Sequence, residues 1–358
     1  MFSRIRYPEQ MRGEELDLYL EAGWRCMRSA IYTSHFMTFA KAGHSQIYST
    51  IPTRLNLKDF QFSKSNRKLL KRNSSLFRLE IGQTALFDAK KEAVNALYAA
   101  QFPDKAIDDP HNYLYNLQSQ LTFDTRELCL YDKNRLVAFS FFDVGQNSMY
   151  SKQGIYNPDY QAYSLGYSSM LFEINYALEN GFQYYYPGYV VPGNPDFDYK
   201  HRIGLLEYFD LPTEKWLPYA LLEEADIPIN VIRSQLNRLQ RKFQLAGIQC
   251  SVIEYPVFDI RFYHNDPHPF LEFPVFLILD HPDRNQCCPI VVYDPMASVL
   301  RIFDGRFVGA FTSQQEAYAG CLSGEYQWCR IPIIAYDMPE ELLPESWWRL
   351  LAEAQRGI

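Results

Sequence analysis

The stretch from Glu127 to Tyr186 constrains the fold of this chain more than any other. Glu127–Tyr131 alternates as a strand does, Asp132-Lys133-Asn134-Arg135 reads as a hairpin turn, and Leu136–Val144 reads as a second strand. Ser148–Tyr156 makes a third strand. A helix is predicted from Leu165 to Asn180, with Met170, Leu171, Ile174 and Leu178 at helical spacing and Gly181 as its stop. Tyr184–Tyr186 follows as a short buried strand. Three strands, a helix and a strand in this order build a mixed sheet with a helix on its face. That helix offers its N-terminus to a phosphate.

The rest of the chain arranges itself around this core. Residues 14–22 predict a short helix, and Ile47–Ile51 and Thr53–Leu57 predict strands split by Pro52. A helix over 88–100 starts at Asp88, and another over 108–121 starts near Asp109-Pro110. Beyond residue 220, a helix from Asp226 or Asn230 runs to Leu245 and stops at Gly247. Strands are predicted at Cys250–Pro256, Ile260–Tyr263, Pro274–Leu279, Pro289–Tyr293, Val299–Phe303 and Ile331–Tyr336, with a closing helix over Glu345–Gln355. The reading is α+β with three parts: an N-terminal subdomain (1–80), the core (81–219) and an accessory α+β domain (220–358).

Two segments point to chemistry. Between Lys64 and Arg72 five cations fall within nine residues: Lys64, Arg67, Lys68, Lys71 and Arg72. The chain as a whole carries a net charge of −7, so this basic charge is local, as in a patch that grips a polyanion. On a helix, Arg67/Lys71 and Lys68/Arg72 are like-charge neighbours, which destabilise unless an anion offsets them. The second segment is Gly188-Tyr189-Val190-Val191-Pro192-Gly193, then Asp198-Tyr199-Lys200 and Glu207. It reads as a strand end that turns into a lysine-bearing loop.

Other classes are set aside. The seven cysteines form no C-x-x-C pair and are odd in number, which argues against a disulfide scaffold. No metal site is expected, since Pro267 stands between His264 and His268. Arg4, Arg6 and Glu9 interrupt any apolar leader, and no apolar run reaches the roughly 20 residues of a membrane span. A soluble, cytoplasmic protein is expected, without membrane or DNA partners. The high aromatic content (16%) is mainly core material, with base stacking open to a minority of the tyrosines.

Read together, these residues resemble the aminoacyl-tRNA–protein transferase family, the arginyl-tRNA–protein transferases and their bacterial leucyl relatives. The resemblance spans about residues 10–210. Gly23-Trp24-Arg25 stands for the family's Gly-Phe-Arg, and Tyr32 through His35 for its Tyr-x-x-His. Pro52-x-Arg54 and Phe60-x-x-Ser63-x-Ser65-x-Arg67-Lys68-x-x-Lys71-Arg72-Asn73 follow its basic stretch. Asp143, Ser148, Tyr150, Tyr156, Pro158, Ser164-Leu165-Gly166 and Glu173-Ile174 follow its core. Gly188-Tyr189-x-x-Pro192-Gly193, Tyr199-Lys200 and Glu207 match its closing signature.

The resemblance implies a GCN5-related acetyltransferase-like core, a mixed sheet flanked by helices. It also implies transfer of an amino acid from tRNA to a protein N-terminal amine. The ester is already activated, so positioning and oxyanion stabilisation suffice, and no cofactor is needed beyond aminoacyl-tRNA as co-substrate. Arg54, Arg67, Lys68, Lys71, Arg72 and Asn73 would hold tRNA, and Ser164 and Gly166 would meet the acceptor-end phosphate. Gly188, Tyr189 and Lys200 would face the ester or the incoming peptide. Glu207 would orient Lys200 or accept the amine's proton.

Three departures accompany the resemblance. Phe36 stands where the family usually has a cysteine, so any iron–sulfur or metal function tied to those cysteines is expected to be absent. Asp196-Phe197-Asp198 replaces a usual cation and methionine, which favours arginine over leucine as the transferred residue or alters the acceptor. Residues 220–358 have no recognised counterpart in the bacterial relatives. Two alternatives stay open: an acyl-CoA-dependent N-acetyltransferase, and a non-catalytic protein that binds tRNA or peptide ends.

Overall fold

The computed structural model describes residues 2–41, 44–83, 87–259, 270–281, 287–309, 316 and 328–357. No helix among them is long and apolar enough to cross a membrane. The chain enters through β1 (Ser3–Arg6), α1 (Glu14–Glu21), β2 (Arg25–Met27) and β3 (Ala30–Ser34). A hairpin of β4 (Phe36–Lys41) and β5 (His44–Ser49) leads to β6 (Ile51–Asn56), α2 (Lys64–Leu76) and β7 (Arg78–Gln83). Then come α3 (Ala89–Gln101), α4 (Pro110–Leu114), β8 (Asp124–Asp132), β9 (Arg135–Val144), β10 (Ser148–Tyr156), α5 (Leu165–Glu179), β11 (Tyr184–Val190), β12 (Leu206–Asp210) and β13 (Lys215–Pro218). The last part holds α6 (Pro228–Leu245), β14 (Cys250–Glu254), β15 (Val275–Leu279), β16 (Pro289–Asp294), β17 (Val299–Phe307), β18 (Ile333–Asp337) and α7 (Glu345–Gln355).

Eight strands form one mixed sheet in the order β13-β12-β6-β11-β10-β9-β8-β7. Its neighbours run antiparallel except β10 and β11. That parallel pairing covers only Ser148↔Tyr184, Met149↔Tyr185 and Tyr150↔Tyr186. Beyond it, β10 follows β9 to Tyr156, while β11 follows β6 to Val190. Both strands carry a register shift where they part, at Ser151/Gln153 and at Tyr185/Gly188. Bulges bend a strand and sharpen its twist, so the two strands splay and leave a wedge between them.

Helix α5 covers the sheet beneath the wedge. Leu165, Leu171, Ile174 and Ala177 are fully buried against Leu55, Leu130, Met149 and Tyr185. Each buried leucine and isoleucine of this set contributes ~1.5–3 kcal/mol on burial. Glu173 lies in the same core with no exposure, accepting a 2.7 Å hydrogen bond from the Tyr185 hydroxyl. Burial pushes its carboxyl up to about 7, against the pull of its hydrogen bonds.

The C-terminal five strands form an antiparallel sheet in the order β14-β15-β16-β17-β18. Its core takes in Phe2, Phe36 and Ile47 from the N-terminal segment as well as the buried face of α6. Phe36 packs edge-on against Phe2 (5.3 Å between ring centres) and Phe258 (6.3 Å). The Ile229 N–H donates to Ser49 Oγ at 2.9 Å, and the Thr38 N–H donates to Asp259 Oδ2 at 3.2 Å. The accessory segment and the N-terminal hairpin therefore share one core. Phe36 is one of its anchors.

Several elements differ from the sequence reading for local reasons. Pro52 does not split a strand: β6 runs through it, and the pairing of β12 with β6 already ends at Thr53. The helix expected over 108–121 stops at Leu114. Asn116 Oδ1 accepts from the backbone N–H groups of Gln118 and Gln120 (3.0 Å each), and Ser119 takes a positive φ of 57°. This local bonding competes with helix continuation. The basic segment, read as a loop end or a helical turn, is a 13-residue helix capped by Ser63, whose Oγ accepts from the Asn66 N–H. The strand expected at Ile260–Tyr263, with His264, His268 and Cys321, lies outside the described residues.

Glu173 makes stability depend on pH. Its carboxyl ionises at 4.5 when unfolded and at about 7 in the fold. The folded state binds the extra proton between those values, so stability falls as pH rises through that window and stays lower above it. A shift of this size corresponds to on the order of 3 kcal/mol. Glu173→Gln removes this dependence. Chemical unfolding at pH 5 and pH 8 should show the variant gaining on the wild type at the higher pH. An equal difference at both pH values would contradict the assignment.

Candidate active site at the splayed strand pair

Gly188 follows the bulge of β11 and has a φ of 91°, a conformation that other residues rarely adopt. A Cβ placed there would lie 3.5 Å from Lys200 Nζ and 3.6 Å from the Tyr150 hydroxyl. The missing side chain thus leaves a space bounded by an amine and a phenol. Lys200 arrives on a 3-10 helix, Pro195–Arg202, whose start is capped by Asn194: its Oδ1 accepts from the Asp196 N–H at 3.2 Å.

Lys200 is 8% exposed. Its Nζ donates to the Tyr189 carbonyl at 2.8 Å and lies over the Tyr189 and Phe197 rings, at 5.3 and 5.7 Å from their centres. Burial first, and the Arg25 charge second, bring its amine down to about 7. The Tyr150 hydroxyl moves the other way: burial pushes it well above its ordinary value and keeps it protonated. Gly188, Tyr189 and Lys200 therefore come together as one constellation.

Glu207 does not join them. It accepts from Arg54 Nε at 2.6 Å, while Arg54 Nη1 pairs with Glu21. The Arg54 side chain is 8% exposed and lies over the rings of Tyr184 (4.2 Å) and Trp216 (4.5 Å). This corrects two expectations. Arg54 is committed to a structural network rather than offered to phosphate, and Glu207 serves Arg54 rather than Lys200. The cause is register: Glu207 sits directly opposite Arg54 where β12 pairs with β6.

Helix α2 divides its polar residues between two faces. Asn66 and Asn73 are buried, while Lys64, Arg67, Lys68, Lys71 and Arg72 are exposed. Asn73 Nδ2 donates to the Tyr163 carbonyl (2.9 Å) and to Ser168 Oγ (2.6 Å). Arg72 also donates to Tyr163 O, at 3.1 Å. Asn66 Nδ2 donates to the Arg202 carbonyl at 2.8 Å, and Asn66 Oδ1 accepts from the Tyr167 hydroxyl at 3.0 Å. These bonds set the cation-bearing helix beside the N-terminus of α5 and tie it to the turn that carries Lys200. Among the described residues, Lys64, Arg67, Lys68 and Lys71 have no carboxylate within ion-pair distance.

Ser164 enters α5 with a φ of 53°, and its side chain makes no capping bond. Gly166 lies against the Tyr156 ring, where a Cβ would come within 3.2 Å, so close packing accounts for this glycine. Asp196 and Asp198 are exposed on the turn before Lys200, and Asp196 is 3.9 Å from Lys105. No group of three or more His, Cys, Asp or Glu among the described residues could hold a metal ion.

Sequence reasoning gave no role to Arg25 or Tyr150, although both stand in the matched patterns. Their importance is spatial. They lie on β2 and β10, far apart in sequence, and meet only around the Gly188–Lys200 space.

Parts of the chain are similar to known proteins. The family described as "Arginine-tRNA-protein transferase, C terminus" matches residues 82–210, from the end of β7 through β12. An aspartate/glutamate leucyltransferase of Leptospira interrogans is 27% identical over 207 residues, covering 55% of this chain and 76% of that protein. Arginyl-tRNA–protein transferase 1 of Saccharomyces cerevisiae is 30% identical over 96 residues, covering 27% of this chain and 19% of that one. Among solved structures, L-PGS from Bacillus licheniformis overlays 53% of this chain and 54% of its own at 14% identity with a TM-score of 0.34. The family match and the named relatives make this part of the chain similar to the aminoacyl-tRNA–protein transferases.

Proposed function

We propose that this chain moves an amino acid from aminoacyl-tRNA to the N-terminal amine of an acceptor protein, with the reaction in the wedge between β10 and β11. The observation that carries the reading is Lys200: a buried amine brought down to about 7, facing the space that Gly188 leaves open. A base with a pKa near the working pH is what an acceptor ammonium, with an ordinary pKa of roughly 7.7–8.0, requires. The parallel pair that parts beside α5 supports reading the sheet as a GCN5-related acetyltransferase-like core.

In this reading the donor's acceptor stem lies along α2, whose exposed cations contact phosphates and whose asparagines face inward. Neutral Lys200 takes a proton from the acceptor's ammonium while its own N–H stays on the Tyr189 carbonyl. The freed amine nitrogen forms a bond to the ester carbonyl carbon. The Tyr150 hydroxyl donates to the carbonyl oxygen as negative charge develops there. Collapse breaks the bond from that carbon to the ribose oxygen, the Lys200 ammonium returns its proton to the leaving oxygen, and the second proton shed by the nitrogen as it becomes an amide passes to solvent. Protons and bonds balance with aminoacyl-tRNA as the sole co-substrate, and dependence on tRNA fits a cytoplasmic setting.

The donor choice rests on Asp196 and Asp198. A cationic aminoacyl side chain lying over their turn would meet two exposed carboxylates, so arginine is proposed over leucine. The acceptor is proposed to begin with an acidic residue, as in the printed name of the Leptospira relative.

Incubation with tRNA charged with labelled arginine or leucine, and with peptides beginning in Asp, Glu, Lys or Arg, tests the whole reading. Label should enter the Asp- and Glu-initiated peptides, and arginine should exceed leucine. Tight acetyl-CoA binding with no tRNA-dependent labelling would sink it. The pH profile isolates Lys200. Only its neutral form is active, so kcat/KM should rise through about 7, below the acceptor amine's own titration. Lys200→Met should lose this inflection and on the order of 10²–10⁴-fold in rate. An unchanged profile in the variant would remove Lys200 from the chemistry.

A further inference from the structure

Arg25 is 1% exposed and has no carboxylate within ion-pair distance among the described residues. Its guanidinium carbon lies 4.8 Å from the Tyr32 ring centre and 4.5 Å from that of Tyr189. Nη2 donates to the Ser34 carbonyl and reaches Thr50 Oγ1 at 3.4 Å. Nε and Nη1 are buried with no hydrogen-bond partner among the described residues. An arginine cannot escape burial by losing its proton, and a buried charge is costly unless it is paired.

Arg54 shows how the same fold treats a structural arginine. It too lies over two aromatic rings, but two carboxylates complete its bonds. Arg25 has the rings without the carboxylates. It also shares the Tyr189 ring with Lys200, and Tyr189 is only partly buried, so Tyr189 is the wall between Arg25 and the wedge. A ligand whose amine reaches Lys200 has its neighbouring atoms at this wall.

We infer that Arg25 determines acceptor specificity by receiving the side-chain carboxylate of an acidic N-terminal residue once Tyr189 turns aside. This rests on the transferase reading for the placement of the acceptor's amine. The ligand is a carboxylate rather than a tRNA phosphate, because the cations of α2 are exposed, whereas Arg25 is buried against the Tyr189 ring. The missing bonds of Arg25 then close as those of Arg54 do, with charge-assisted contacts to an anion. An acceptor with Asn or Gln in place of Asp or Glu leaves the charge unmatched and is rejected.

Binding can be tested without transfer. Fluorescent peptides that differ only in a first residue of Asp or Asn are titrated into the full chain and followed by anisotropy. The wild type should bind the Asp peptide about 30-fold more tightly or better, the scale of a buried charge pair. Arg25→Met should bring the two affinities together by weakening the Asp peptide alone. Arg25→Lys keeps the charge, guards against misfolding of the first variant, and should narrow the preference. Equal affinities in the wild type, or a variant that weakens both peptides alike, would overturn the assignment. An Asp preference that depends on Arg25, without transfer to any peptide, would support this inference and count against the transferase reading.

Discussion

Three residue pairs hold β10 and β11 parallel, and two bulges then drive them apart. The rest of the site depends on this brief contact. A longer pairing would leave no space at Gly188, and no pairing would leave α5 without a continuous sheet to cover. Because β9 and β6 each continue to hold one of the two strands, the wedge is bounded by hydrogen-bonded sheet on both sides.

Electrostatics follows the same geometry. Four buried cations near the wedge meet three fates. Lys152 pairs with Asp143 at 3.1 Å, with both side chains almost fully buried. Arg54 is locked between carboxylates and rings. Lys200 and Arg25 share an aromatic neighbour and have no carboxylate partner among the described residues, so the lysine yields part of its charge while the arginine cannot. A pair of this kind is poised for one neutral amine and one fixed cation, which suits an acceptor that brings both an ammonium and a carboxylate.

The order of elements from Glu127 to Tyr186 was legible because buried strands and a glycine-stopped helix leave strong periodic signals. Edge elements were not. Nearly every residue of β7 is exposed, so it carries no alternation to read. The inward face of α2 was hidden because Asn66 and Asn73 look like surface residues among cations, and only their partners in α5 and the Lys200 turn reveal them. The signature residues Gly188, Tyr189 and Lys200 were found by resemblance and meet in space. Glu207 was misassigned because its partner is set by strand register with Arg54, which no linear spacing reveals. Arg25 stood in view within a matched pattern, yet its missing partners exist only in three dimensions.

The central claim is that donor and acceptor meet in the wedge, with the tRNA end lying along α2. Hydrogen–deuterium exchange tests it directly, using an acceptor-stem minihelix whose terminal ribose carries arginine through a stable amide. The account predicts slowed exchange on binding in residues 64–76, 149–156 and 187–202. Protection confined to residues 228–357, or none at all, would contradict it.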